Sequence, residues 1–127
     1  MAERLIRIGR VSSVNYDEGM ISVTYPDLDD STTDEFPVFS FTDEYKMPGI
    51  GQEVLVIHLS NGQSAGIVMG RIWNRENVPP RSGEGIFRKE LGDIYGEAYI
   101  EYDGSNIKFK DNVAGEVTLF QLLDCKC

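Results

Sequence analysis

Apolar residues in this chain come in short runs or at alternate positions, and almost no stretch repeats them at the spacing of an amphipathic helix. The runs are separated by many of the 13 glycines and 5 prolines, which are common in turns. Alternation with a period of two is typical of strands that bury one face. The pattern therefore predicts an all-β protein.

Five strands are predicted in the first part of the chain, at 5–14, 20–25, 36–41, 54–59 and 65–72. The sequence 15–19 forms a turn between the first two, which makes them a hairpin. The parity of the apolar residues changes at Gly9, which predicts a bulge or a coil there. The last two strands are apolar on both parities, which indicates that both of their faces are covered. Five short strands with a bent first one predict a small barrel of the OB type, whose outer faces then need a partner.

The composition changes after Ile72, where charged residues, a Pro-Pro pair and glycines indicate an extended connector. We expect an OB-fold barrel at 1–73, a linker at 74–85 and a C-terminal β-stranded region at 86–127. The last region has four predicted strands, at 86–89, 98–102, 106–110 and 117–120. So short a segment buries little apolar surface by itself, which favours association between copies of the chain.

The charge of the chain argues against one class of partner. Twelve Lys and Arg stand against 21 Asp and Glu, and the net charge of −9 opposes binding to a phosphate backbone. An OB module that binds nucleic acid or another polymer is the alternative function. It would need basic and aromatic residues interleaved on one face, and we expect no nucleic acid partner. No apolar stretch approaches the ~20 residues of a membrane helix, and the N-terminus lacks a signal segment, which predicts synthesis in a cytoplasm.

The single histidine of the chain, His58, lies in an apolar run at 54–59. No cysteine, no serine in a glycine elbow and no carboxylate accompanies it in that run, so the sequence favours a structural histidine over a catalytic one. Glycoside hydrolysis would need two carboxyl groups at a defined separation, and acids scattered through turns do not indicate such a pair. The sequence therefore predicts that the chain is not an enzyme.

The acidic loop at 27–35 allows two interpretations. Clustered carboxylates suit hard cations such as calcium, but the loop lacks the glycine and the twelve-residue spacing of an EF-hand. A solvated loop whose charges repel one another is the interpretation that the pattern favours.

Most of residues 5–80 resembles a known family. The segments in question are IGRVSSV, ISVTYPDLDDSTTDEFPVFSF, MPGIGQEVLVIHL, SAGIVMGRIWN and VPP. In this order and spacing they resemble the baseplate assembly protein V group, the central spike of contractile phage tails and related injection particles. The resemblance implies an OB barrel in a homotrimer, a C-terminal β-needle in which strands of three chains wrap together, and a mechanical role.

The resemblance also implies partners and a location. The protein would lie in the baseplate of a virion or tail-like particle, below a tail hub protein; whether a separate tip protein caps the needle from below is left open by the sequence. On contraction it would contact the target cell envelope. The apolar residues expected to hold three needles together are Ile100, Tyr102, Ile107, Phe109, Val117 and Leu119.

The end of the chain carries both cysteines, Cys125 and Cys127. Some spikes of this kind end near a His-x-His pair whose three copies hold iron, so six thiols at the tip of a trimer would be a site for iron or zinc. Unliganded thiols at a frayed terminus are the simpler expectation, and disulfides between chains are a third. Metal analysis of protein purified under reducing conditions distinguishes these interpretations.

Overall fold

The computed structural model describes residues 5–59 and 65–124, which fall in two compact units, 1–74 and 75–127. Strands dominate both units, and one short α-helix lies near the end of the described chain. The strands are β1 (Ile6–Asn15), β2 (Met20–Tyr25), β3 (Ser31–Thr32), β4 (Phe36–Pro37), β5 (Glu53–His58), β6 (Gly66–Arg71), β7 (Phe87–Glu90), β8 (Tyr99–Tyr102), β9 (Ile107–Asp111) and β10 (Gly115–Thr118), and the helix is α1 (Leu119–Leu123). The prediction of an all-β protein is confirmed.

The first unit is a closed ring of strands. β1 pairs antiparallel with β2 and with β5, β5 pairs with β6, and β2 pairs with β3 and β4. A parallel bridge between Val38 and Val68 joins the segment after β4 to β6, and the Phe39 amide donates to the Val68 carbonyl at 2.8 Å. This bridge closes the six-stranded sheet of the first unit into a small barrel.

Alternate residues of these strands point into the barrel and form its core. Tyr25 and Phe36 are its largest buried side chains. The fully buried cluster consists of Val11, Ile21, Val23, Tyr25, Phe36, Val54, Val56 and Val68. On the outer parity Ile6 and Ile8 are exposed by 62% and 47%, and they pair with the half-buried Ile57 and Leu55. The outer face of the barrel is thus apolar where β1 meets β5.

The prediction of a bulge or a coil at Gly9 is wrong. The irregularity lies between Val11 and Ser13, where β1 pairs with β2, while Gly9 keeps a regular register with β5. Gly9 belongs to the inner parity, and a Cβ placed on it would lie 2.4 Å from Val23 Cγ1 and 2.8 Å from the Tyr25 ring. A glycine is needed here because two buried side chains occupy the space that any other residue would fill.

The third predicted strand is shorter in the structure than expected, and the last has the expected length but begins and ends two residues earlier. The strand expected at 36–41 extends only over Phe36–Pro37, because Pro37 offers no amide hydrogen and the backbone turns left-handed from Phe41 onwards. The strand expected at 117–120 ends at Thr118, which caps α1. The two-residue strand β3, which lies inside the acidic loop, was not predicted.

The second unit is a four-stranded antiparallel meander in the order β10-β9-β8-β7. Asp103 accepts the amides of Ser105 and Asn106 in the turn between β8 and β9, and these two hydrogen bonds lower its pKa to about 2. Asp111 accepts the amides of residues 113 and 114 before β10 in the same way. These two turns connect β8, β9 and β10 in two successive hairpins.

Candidate assembly interface

The register of the second sheet places its apolar side chains on one face. Phe87, Tyr102 and Ile107 lie opposite one another across β7, β8 and β9, and so share a side of the sheet. The next row on that side is Lys89, Ile100, Phe109 and Val117, across all four strands. We call this side the apolar face; its members are Phe87, Lys89, Ile100, Tyr102, Ile107, Phe109 and Val117.

The apolar face is open in the single chain. Phe87, Tyr102 and Ile107 are exposed by 60%, 43% and 38%, and the residues of the second row are half-buried. No member of the face is fully buried, although six of the seven are apolar or aromatic. A contiguous apolar surface of this kind marks a site of interaction.

The opposite face of the same sheet carries the charges, and three of its side chains are buried while Glu116 is exposed. Its members are Arg88, Glu90, Tyr99, Glu101, Lys108, Lys110, Glu116 and Thr118. Glu101, Tyr99 and Glu90 are only 3%, 6% and 8% exposed. All the buried side chains of this sheet thus lie on its charged face, and none lies on the apolar face, which is the opposite of the usual distribution.

Glu101 is the centre of the charged face. Its Oε1 accepts from Arg88 Nη1 at 2.8 Å and lies 3.2 Å from Arg81 Nε, and its Oε2 lies 3.7 Å from Lys108 Nζ. Burial alone would raise the pKa of this carboxyl, but the hydrogen bond from Arg88 and the three positive charges lower it below its ordinary value. The carboxylate is therefore ionised and fully paired.

A second part of the charged face involves Tyr99 and Glu90. The Arg88 guanidinium stacks 3.4 Å above the Tyr99 ring, and the Tyr99 hydroxyl donates to Glu116. Burial, together with that hydrogen bond, raises the pKa of Tyr99 to about 12. Glu90 accepts from Arg88 Nε at 2.6 Å and from the Gly96 amide at 2.7 Å. The buried polar side chains of the charged face therefore find their hydrogen-bond and ionic partners within the same chain.

Five of the six residues expected at a trimer interface lie together on the apolar face: Ile100, Tyr102, Ile107, Phe109 and Val117. Leu119 does not lie on it, because the chain has already entered α1, where Leu119 is 39% exposed. The signal that was overlooked is Thr118-x-x-Gln121. The Thr118 side chain accepts the Gln121 amide, and the Gln121 side chain accepts the Thr118 amide, as in a capping box. Phe87 also belongs to the face and was not among the expected residues.

His58 is a buried member of the barrel. It is 6% exposed, its Nε2 lies 2.7 Å from the Tyr25 hydroxyl, and its ring meets the Phe36 ring edge-on at 5.5 Å. Burial raises the pKa of Tyr25 to about 12, against the opposing effect of the nearby Arg7 charge. The Tyr25 side chain is thus neutral at ordinary pH, and the pair works as a hydrogen bond inside the core.

The structure describes only one of the two candidate metal sites, the acidic loop. Cys125 and Cys127 lie outside the described residues. Within residues 5–59 and 65–124, no three His, Cys, Asp or Glu side chains form a group that would hold a metal ion, and this includes the acidic loop at 27–35. Within that loop Asp29 and Asp30 have left-handed backbones at a turn, a conformation that Asp tolerates better than most residues.

No protein-family model matches this chain, and no curated protein matches it either. In the described part of the chain, no helix has the length and apolar character needed to cross a membrane.

Proposed function

We propose that the chain is a structural, non-enzymatic subunit that associates with copies of itself through the apolar face, as a homotrimer. The observation that carries this proposal is the distribution of burial in the second sheet, whose buried side chains all lie on the charged face while Phe87, Tyr102 and Ile107 on the apolar face are exposed. Burying an apolar surface contributes about 25 cal/mol per Å², so 400 Å² per chain would contribute about 10 kcal/mol before the cost of association.

The particle in which such a trimer would act follows from the sequence resemblance alone. The order of segments in 5–80 supports a baseplate spike of a contractile phage tail or tail-like particle. There the barrel would connect to a tail hub protein, and the second unit would form a needle facing a tip protein and the target cell envelope. The role of the trimer would be to stay rigid and symmetric while the tail contracts.

Two other functions have less support. A nucleic-acid-binding OB module is opposed by the net charge of −9. A catalytic role for His58 is opposed by its burial in the barrel core against Tyr25 and Phe36. A gel shift with single-stranded DNA at low salt tests the first of these directly, and we expect no shift.

The proposal is tested by the solution mass of the purified chain, measured by light scattering coupled to size exclusion under reducing conditions. We expect three times the chain mass of 14.3 kDa. Phe109→Asp or Tyr102→Asp places a charge in the middle of the apolar face, and each variant should run as a monomer. Val113→Asp is the matched control, because Val113 is 96% exposed in the turn before β10 and outside the face. A monomeric parent chain, or a Phe109→Asp variant that stays trimeric, would contradict the proposal.

A further inference from the structure

A second surface lies on the first unit, where four aromatic side chains are exposed. Tyr16, Phe39, Phe41 and Tyr45 are exposed by 61%, 45%, 55% and 64%. The Phe39 and Phe41 rings meet edge to face at 4.8 Å, and the Tyr45 hydroxyl donates to the Tyr16 carbonyl at 3.0 Å. The Val38 amide donates to the Gly19 carbonyl, which joins the loop after β4 to the turn between β1 and β2. We call these four residues the aromatic end.

The backbone holds Phe41 outward. Phe41, Thr42 and Asp43 have φ of 48°, 64° and 68°, three successive non-glycine residues in the left-handed region. The turn is closed by the Glu44 amide, which donates to the Ser40 carbonyl at 2.6 Å, and by the Asp43 amide, which donates to Ser40 Oγ at 3.3 Å. A conformation of this cost persists only where the surrounding structure imposes it, and it is frequent at functional sites. The ring of Phe41 is thereby presented to solvent in a defined position.

The charges of the segments that carry the aromatic end are mostly negative. The segments that carry it, 15–19 and 35–46, contain five carboxylates and a single lysine; the carboxylates are Asp17, Glu18, Glu35, Asp43 and Glu44. Asn15 Nδ2 donates to Glu18 at 2.8 Å and to Glu35 at 3.4 Å, which brings the acids of both segments to the same surface. A second copy of this end, an anionic lipid surface or a phosphate backbone would be repelled.

We propose that the aromatic end binds a basic segment of another polypeptide, in which arginine side chains stack on the exposed rings while the carboxylates attract their charge. Exposed aromatic faces bind guanidinium groups by cation–π contact and stacking, and a guanidinium is more weakly hydrated than an ammonium. The surrounding carboxylates attract a positively charged peptide at long range and repel a negatively charged one. The aromatic end is separate from the apolar face, so this partner differs from the copies that the proposed function requires.

The test uses the full chain and a fluorescently labelled oligoarginine peptide, with oligolysine and oligoglutamate of equal length for comparison, at low and at physiological salt. We expect oligoarginine to bind, oligolysine to bind more weakly, and oligoglutamate to show no binding. Phe39→Leu with Phe41→Leu removes the ring faces and keeps apolar volume, and should weaken oligoarginine binding about fivefold. Phe120→Leu in α1, where Phe120 is 72% exposed, is the matched control and should bind as the parent chain does.

A second pair of variants separates the rings from the charge. Asp43→Asn with Glu44→Gln should weaken the binding of both cationic peptides, whereas Asp29→Asn with Asp30→Asn, in the acidic loop, should not. Far-ultraviolet circular dichroism checks folding, and the single Phe41→Leu variant replaces the double one if the latter unfolds. Absence of oligoarginine binding, or binding that the ring variants leave unchanged, would overturn the inference. The result is independent of the trimer proposal, because binding is measured at whatever solution mass the chain has.

Discussion

Gly9 offers the sharpest test of the barrel core. A Cβ on Gly9 would lie 2.4 Å from Val23 Cγ1 and 2.8 Å from two atoms of the Tyr25 ring, whereas ordinary contact begins at 3.4 Å. Val23 and Tyr25 are 0% and 1% exposed, so neither side chain is free to move into solvent. Gly9→Ala therefore forces a shift of about 1 Å in a close-packed core, and overpacking of this kind costs about 1–3 kcal/mol.

A matched control exists in the same unit. A Cβ on Gly49 would meet only the Gln52 side chain, at 3.6 Å, which is ordinary contact. Gly49→Ala should therefore stabilise the unit by about 0.4–1 kcal/mol, through the lower entropy of the unfolded chain. The same entropy effect offsets part of the clash at Gly9, which leaves a net loss of about 1–2 kcal/mol in Gly9→Ala.

The assay is urea unfolding followed by the fluorescence of Trp73, the only tryptophan, which belongs to the first unit. All variants are compared at one protein concentration, since association with other copies would also affect stability. With a denaturant slope of about 1 kcal/mol per M, the midpoint of Gly9→Ala should fall by about 1–2 M urea. If Gly9→Ala unfolds at the same urea concentration as the parent chain, the barrel interior is not packed as described.

Three further predictions concern the charged face, the barrel core and α1. Glu101→Gln removes the carboxylate that Arg81, Arg88 and Lys108 share, although Arg88 keeps Glu90 and Lys108 keeps Asp103, and it should cost about 2 kcal/mol in thermal unfolding. Because the pKa of Glu101 is lowered on folding, its contribution to the free energy of unfolding is lost as pH falls below the ordinary carboxyl range. If the stability of Glu101→Gln falls with decreasing pH as steeply as that of the parent chain, this reasoning is contradicted. Tyr25 keeps its proton to a pKa of about 12 when folded against 10.0 when unfolded, so its contribution to stability should be lost between these values. When the near-ultraviolet absorbance is followed as the pH is raised, Tyr25→Phe should lack one tyrosine that ionises near pH 12 in the parent chain. An unchanged titration would refute the assignment of this raised pKa to Tyr25. Thr118→Ala removes the cap of α1, about 1 kcal/mol, and should speed hydrogen exchange of the Gln121 amide about fivefold; unchanged exchange would show that the cap does not hold the helix.

The sequence by itself determined the class of the fold and most of its strands. Alternation at 20–25 predicts β2 at its observed bounds, and the turn at 15–19 joins it to β1 as expected. The apolar residues of the hairpin formed by β8 and β9 also fall on one face, as the period of two requires. These features depend on local preferences and on periodicity, which are visible along the chain.

Contacts between distant residues determined the rest. The Val38–Val68 bridge closes the barrel, and only the packing of Val23 and Tyr25 shows why residue 9 is a glycine. Glu101 is buried beside Arg81, which lies twenty positions earlier in the chain. The alternation of residues in β8 does not indicate that the side of the strand with Glu101 would be the buried side. A periodic pattern identifies the two faces of a strand, but which face is covered depends on where the remainder of the chain folds back, and that is settled only by tertiary structure.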